Sequence, residues 1–341
     1  MINIPKFYTF NGITVYNYWN NDFDIVRKGN FCNEFLKQAK EENIQIKNKQ
    51  KIIFDCCNEG IAPSDITLAT DSLDANDIEL ELMVLFNVTV NEELPYKYVC
   101  FPGHFVAHCG FVNHVRNLDV KWNELHLSTY FISLMRRASV GRATLAKNIL
   151  DNFKPEDFLL SCGSQSNKWI TELPNLKEAI SPYKLPILLD GIIDNYKVQH
   201  HHDDTNFFAC LFNVAVETSS QTDDDSWREI FISEKSLKPF AYRQIPIWFA
   251  VPGTVQEVRD LGFDVFDDVI DHSYDTIVDP DKRMKKMISV LQTFISNNTL
   301  NDINTLRKSL WERINDNVNL LYKLNEQHPY TKQKYMLELI K

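Results

Sequence analysis

The sequence predicts an α/β protein built from two parallel-sheet domains, with helices at its C-terminal end. Three observations carry this. Short apolar runs of strand length alternate with segments of helical spacing, the pattern of parallel strands joined by crossover helices. A second series of such units starts at His126–Met135, which puts a boundary near Glu124. Beyond it, Asp281–Phe294 and Leu300–Leu324 are helical in period; in the latter, Leu306, Leu310, Ile314, Val318 and Leu321 recur at spacings of three or four. The expected layout is a Rossmann-like domain over 1–124, a second over 125–299, and C-terminal helices over 300–341.

The elements of the first domain read in order. Ile13–Tyr16 has strand character, and Phe31–Lys40 puts Phe31, Phe35 and Leu36 on one helical face. Lys51–Asp55 is a strand that ends in Asp55 and runs through Cys56-Cys57 into Asn58-Glu59-Gly60. Ile66–Ala69 reads as a further short strand, and Asp74–Phe86 is too densely apolar to assign. Tyr96–Phe101 is a strand followed by Pro102-Gly103-His104, with His108 four residues on.

In the second domain, His126–Met135 runs into Arg136-Arg137 and, past Gly141-Arg142, into a helix carrying Leu145, Ile149 and Leu150. Phe158–Leu160 is the next strand. Pro174, Pro182 and Pro186 break any long element over 164–205. Phe212–Val216 and Glu229–Ile232 read as strands separated by the polar turn Ser219–Ser226. Ser233, a suitable N-cap, then opens a short helix disturbed by Pro239; Ile245–Val251 and a Pro-Gly turn follow. Tyr330–Ile340 forms a last helical segment.

The composition bounds the function. With 44% hydrophobic residues the chain can bury sizeable cores, and no stretch approaches the ~18 apolar residues of a membrane span. The start, MINIPKFYTF, lacks the basic and apolar regions of a signal peptide. Seven cysteines without CxxC or zinc-like spacing fit reduced thiols, and the expected location is a cytoplasm. A net charge of −10 argues against simple coating of nucleic acid. The charge is uneven, though: residues 281–341 hold 11 Lys/Arg against 6 Asp/Glu, either a solvated helix face or a surface for a polyanion. GxGxxG and GxxxxGK[ST] are absent, which argues against a classical dinucleotide enzyme or P-loop NTPase; no GxSxG elbow is present either.

Glu217, followed after a gap by Ser233-Glu234-Lys235 and Lys238-Pro239, resembles the nucleotide-sugar signature of fucosyltransferase-like enzymes of the GT-B glycosyltransferase kind. The continuation resembles a group of glycosyltransferase-like proteins common in bacteriophages. It runs through Arg243-Gln244-Ile245-Pro246, Pro252-Gly253, Leu261-Gly262-Phe263, Val265-Phe266, Ser273-Tyr274-Asp275 and Asp279 with Arg283. The resemblance is strongest over 205–290, weaker over 126–165 and loose before that. It implies two Rossmann-like domains facing across a cleft, with a C-terminal helix that crosses back to the first. It further implies transfer of a sugar from a UDP- or GDP-sugar to a hydroxyl acceptor held against the first domain. Two acceptors are implied: a hydroxymethylated pyrimidine of phage DNA, which would place the protein in a host cytoplasm, and a glycan or lipid-linked sugar. A nucleotide- or sugar-binding module without catalysis is the competing class.

The chemistry asks for fixed positive charge where the departing diphosphate gains negative charge. Lys235 and Lys238, three apart on a helix, are the candidates, with Ser233 capping that helix and Glu234 either near the nucleotide or set against the helix dipole. The resemblance adds phosphate contacts from Arg137 and Arg142, although Gly141-Arg142 stands where a His-Arg pair is usual. Glu217, at a strand end, is placed to accept two ribose hydroxyls or to cap a helix. A general base is expected in the first domain, with Glu59, Asp55, His104 and His108 as candidates in that order. No metal is expected. His200-His201-His202-Asp203-Asp204 reads as a solvated loop because adjacent side chains diverge. Asp223-Asp224-Asp225 reads as an exposed turn, despite its likeness to the DxD metal motif of another glycosyltransferase fold.

Overall fold

A computed structural model describes residues 6–18, 25, 29–57, 61–90, 93–101, 110–135, 139–162, 204–217 and 229–341. The chain divides into two compact units: residues 1–105 with 327–341, and residues 106–326. The division falls earlier than the expected boundary near Glu124, and the last residues of the chain cluster with the first unit.

The first unit is a five-stranded sheet in the order β1 (Phe7–Phe10), β2 (Ile13–Asn17), β3 (Gln50–Cys56), β4 (Leu80–Phe86), β5 (Lys97–Cys100). β1 and β2 form an antiparallel hairpin, and β2 through β5 pair in parallel. Strand alternation sends neighbouring residues to opposite faces, and both faces are covered. On one, Tyr16 and Phe54 meet Phe31 and Phe35 of helix α1 (Phe31–Glu41), with ring centroids 4.9–6.1 Å apart. On the other, Val15 and Ile53 pack with Met83, Leu85 and Phe101 against Met336 and Leu339 from the C-terminal helix.

Ile66–Ala69 is not a strand but the middle of helix α2 (Pro63–Asp74). Pro63 fixes the first turn, Asp65 lies near the positive helix end, and Ile66, Ala69 and Leu73 bury one face at helical spacing. A four-residue run carries no period that separates the two structures; the proline three residues before it does. The dense Asp74–Phe86 stretch resolves into the end of α2 and the strand β4.

The second unit opens with helix α3 (Gly110–Arg116) and a short 3-10 turn at Trp122–Glu124. Among the described residues its sheet has four strands, all parallel, in the order β7 (Phe158–Cys162), β6 (Thr129–Met135), β8 (Cys210–Val216), β9 (Ile245–Phe249). All residues of β8, inside the sheet, and of β9, at the end of its order, are buried, as befits a parallel sheet covered on both faces. Helix α4 (Val140–Asn152) follows β6, and α5 (Asp204–Phe208) leads into β8. Helix α6 (Glu234–Ala241) makes the crossover from β8 to β9. Glu229–Ile232 does not enter the sheet; it makes an isolated bridge at Ile230 and runs directly into α6. β8 and β9 are immediate parallel neighbours, so the segment between them is the crossover itself.

Helix α7 (Thr254–Asp260) follows β9 after the turn at Gly253, whose φ of 87° suits glycine. Helices α8 (Pro280–Asn297), α9 (Leu300–Ser309) and α10 (Trp311–Ile340) end the chain. The expected single helix over Leu300–Leu324 breaks at Leu310, and Tyr330–Ile340 continues α10 instead of standing alone. The apolar repeat hid the break because buried positions continue across it, from Ile303 before it through Leu310 to Ile314, Val318 and Leu321 after it.

Candidate functional site

Open parallel sheets bind ligands outside the carboxyl ends of their strands, where the strand order reverses. In the first unit β2, β3, β4 and β5 follow one another across the sheet without reversal. In the second, the chain passes from β6 out to β7 and then returns to the other side of β6 to form β8. The reversal lies between β6 and β8, and the residues just past those strands are the start of α4 and Glu217.

Glu217 is 2% exposed. Its Oε1 accepts from the Ser233 N–H (3.0 Å), the Ser236 N–H (3.2 Å) and the Ser236 hydroxyl (2.6 Å); its Oε2 accepts from the Ser233 hydroxyl (2.5 Å). Ser233 Oγ accepts in turn from the Lys235 N–H at 3.2 Å. A strand-end carboxylate thus sits at the positive end of α6 and satisfies its exposed donors, the capping role that sequence left open for it. For Glu217 to hold a ribose it would have to exchange these bonds for two sugar hydroxyls.

The two lysines part company. Lys235 Nζ lies 2.7 Å from Glu234 Oε1 and 3.3 Å from Ser233 Oγ, with its side chain 33% exposed at the mouth of the Glu217 cluster. Burial opposes the Glu234 charge, but the Lys235 ammonium outweighs it and holds that carboxyl below its usual range. Lys238 instead lays its ammonium over the rings of Phe207 (4.7 Å) and Tyr242 (5.8 Å), which stack on each other at 4.1 Å.

Arg142 is buried in the first turn of α4, its N–H donating to the N-cap Ser139 Oγ at 3.3 Å. Ser139 is a neutral cap with no acid in the turn it begins. The starts of α6 and α7 are held by carboxylates: Asp275 accepts from the N–H groups of Val255 (3.1 Å) and Gln256 (3.3 Å).

Asp55 is fully buried at the end of β3. Its Oδ2 takes the Lys332 ammonium (2.6 Å) and the Tyr8 hydroxyl (3.0 Å), and its Oδ1 the Cys57 N–H (3.3 Å). Burial opposes the Lys332 charge, yet Asp55 beside it raises the ammonium's pKa; burial also pushes the Tyr8 hydroxyl and the Cys57 thiol up. This is a sealed ion pair that ties α10 to β3, not a carboxylate open to an acceptor. Glu59, His104, His108, Arg137, His200–Asp203 and Asp223–Asp225 lie outside the described residues. Among the described residues no cluster of His, Cys, Asp or Glu could hold a metal ion.

Sequence reasoning missed three partners. Ser236 doubles the hydroxyl grip on Glu217, and the Ser233-x-x-Ser236 spacing at a helix start was its signal. Lys332 had no local signal, because its partner lies 277 residues away. A buried relay closes the third gap: the Trp248 N–H donates to Tyr274 Oη (3.2 Å), which lies 3.0 Å from His272 Nδ1, and His272 Nε2 lies 2.8 Å from the Val265 carbonyl. The carbonyl only accepts, so Nε2 carries the proton and Nδ1 accepts from Tyr274.

A groove of about 750 Å³ runs beside α7, lined by Gly253, Gln256, Arg259, Asp271, His272 and Ser273 among others. Four of its charged side chains are ion-paired, Arg259 with Asp267 at 2.9 Å, Asp268 with Arg313 at 2.8 Å and Asp271 with Lys286 at 2.8 Å, while Asp275 caps α7.

No family model and no curated protein matches this chain. Among solved structures, a glycosyltransferase from Rickettsia africae ESF-5 is similar at 12% identity over 95% of this chain and 83% of that one, with a TM-score of 0.41. A likeness that distant carries no argument about function. What stands on its own is an α/β protein with two mainly parallel sheets, C-terminal helices, and a polar cluster at the reversal point of the second sheet. No helix among the described residues is long and apolar enough to cross a membrane.

Proposed function

We propose that this chain is a glycosyltransferase that binds a UDP- or GDP-sugar at the carboxyl edge of the second sheet and passes the sugar to a hydroxyl acceptor. The reading rests on the sequence resemblance, and one observation supports it most. Glu217 and Ser233-Glu234-Lys235, the specific core of the resembled motif, meet at the edge where parallel-sheet topology seats ligands. In this reading Lys235 and Arg142, with Arg137, balance the charge that builds on the diphosphate as the anomeric bond breaks. A metal is then not required. Glu217 holds the start of α6, and with it Lys235, in place; Lys238 braces the same helix on Phe207 and Tyr242. The general base is one of Glu59, His104 and His108, since Asp55 is committed to Lys332.

Two acceptor classes go with the reading, a hydroxymethylated pyrimidine of phage DNA and a glycan or lipid-linked sugar. DNA binding would fall steeply with added salt, glycan binding little. A second reading, a nucleotide- or sugar-binding module without catalysis, gains from Asp55 being sealed. Incubation with a panel of nucleotide sugars, with and without chelator, separates them. Release of nucleoside diphosphate unaffected by chelator is the expected outcome; binding without turnover on either acceptor class would establish the module.

A further inference from the structure

We propose that the amino edge of the second sheet carries a phosphate-binding site built on Arg243, apart from the carboxyl edge discussed above. Arg243 lies just before β9, and Trp122 and Leu125 precede β6; in a parallel sheet these starts share one edge. Arg243 stands at a φ of 56°, just past the end of α6, where its N–H bonds the Phe240 carbonyl (3.0 Å) and the Gln244 N–H bonds that of Pro239 (2.9 Å). That is the helix-ending motif in which glycine is usual, so the arginine is held there against backbone preference. Its guanidinium lies over the Trp122 ring (4.3 Å) and donates from Nε to Asn315 Oδ1 (3.2 Å). Tyr322 also hydrogen-bonds the guanidinium, while Nη1 is enclosed and has no hydrogen-bond partner.

A second guanidinium stands beside it. Arg307 is 6% exposed, lies over the Trp311 ring (5.6 Å) and donates to the carbonyls of Trp122 (2.9 Å) and Leu125 (3.2 Å). Burial lowers its pKa, and the charge on Arg243 lowers it further. Among the described residues neither arginine has a carboxylate at ion-pair distance. Two positive charges without a counter-ion, Arg307 buried and Arg243 half-buried, are costly, and an enclosed N–H without an acceptor adds to that cost. A water would satisfy Nη1 but leave the charge unbalanced. A tetrahedral oxyanion does both, and the planar guanidinium fork matches it. Its source is either free inorganic phosphate or the phosphate of a nucleoside monophosphate.

The test compares thermal stability of the full chain in inorganic phosphate, in uridine monophosphate and in chloride at equal ionic strength. Phosphate should raise the melting temperature by about 2–4 °C over chloride. Arg243→Gln should abolish that rise, whereas Lys235→Ala, at the other edge, should keep it. A rise with inorganic phosphate alone assigns the site to the free ion; a rise with both probes admits a phosphomonoester. Equal stability in phosphate and chloride, a rise that survives Arg243→Gln, or one lost in Lys235→Ala would overturn the inference. Should Arg243→Gln fail to fold, titration of the unaltered protein decides, because Trp122 and Trp311 face the two guanidiniums. A saturable change in tryptophan fluorescence with phosphate that shrinks in Trp122→Phe supports the site; no saturable change, or one undiminished in Trp122→Phe, rejects it.

Discussion

Glu217 shows how one side chain organises its surroundings. Two backbone N–H groups and two hydroxyls converge on it out of water, so a neutral replacement leaves donors competing for one acceptor. Glu217→Gln should lower the unfolding free energy by about 1–3 kcal/mol in urea denaturation. Asp55 and Lys332 are a sharper case, because removal of one partner strands a buried charge. Lys332→Met should cost about 3–5 kcal/mol, and the double replacement Asp55→Asn with Lys332→Met should recover most of that. His272 gives a pH dependence. Burial holds its pKa below the ordinary 6.5, so below pH 6.5 the unfolded chain binds a proton that the folded one refuses. Its contribution to stability is complete above that pH and is lost as the pH falls below it, on towards the folded-state pKa. His272→Gln should remove that part of the slope in denaturation midpoints measured from pH 7.5 to 5.

Among the elements, those with a clear period or punctuation were legible. Lys51–Asp55, Phe212–Val216 and the Ser233 N-cap all lie where the residues place them, because alternation, continuous apolar runs and hydroxyl caps are local signals. Ile66–Ala69 was misread because four residues cannot show a period, and Glu229–Ile232 because burial of Phe231 and Ile232 resembles a strand without requiring one. The capping role of Glu217 depends on a turn that closes sixteen residues later in sequence, a tertiary fact no window contains. Ser273-Tyr274-Asp275 could be read only as a motif; the structure gives it work, with Tyr274 inside the relay to Trp248 and Asp275 capping α7. Helix α9 offers a local check. Thr299 and Asp302 form a reciprocal cap, so Thr299→Ala should lower stability by about 1 kcal/mol.

Taken whole, the molecule places its polar investment unevenly. In the first unit the buried charge is an internal fastening between β3 and α10, whereas in the second the Glu217 cluster gathers where the strand order turns back. The proposed donor site depends on that second placement, with Lys235 as the ammonium nearest the cluster. The most direct test is calorimetric titration of UDP and GDP into the unaltered protein, into Lys235→Ala, and into Lys282→Ala as a control on the exposed start of α8. The account predicts binding of one nucleotide, weakened at least about tenfold by Lys235→Ala and unchanged in Lys282→Ala. Equal affinity in all three proteins, or no binding of either nucleotide, would contradict it.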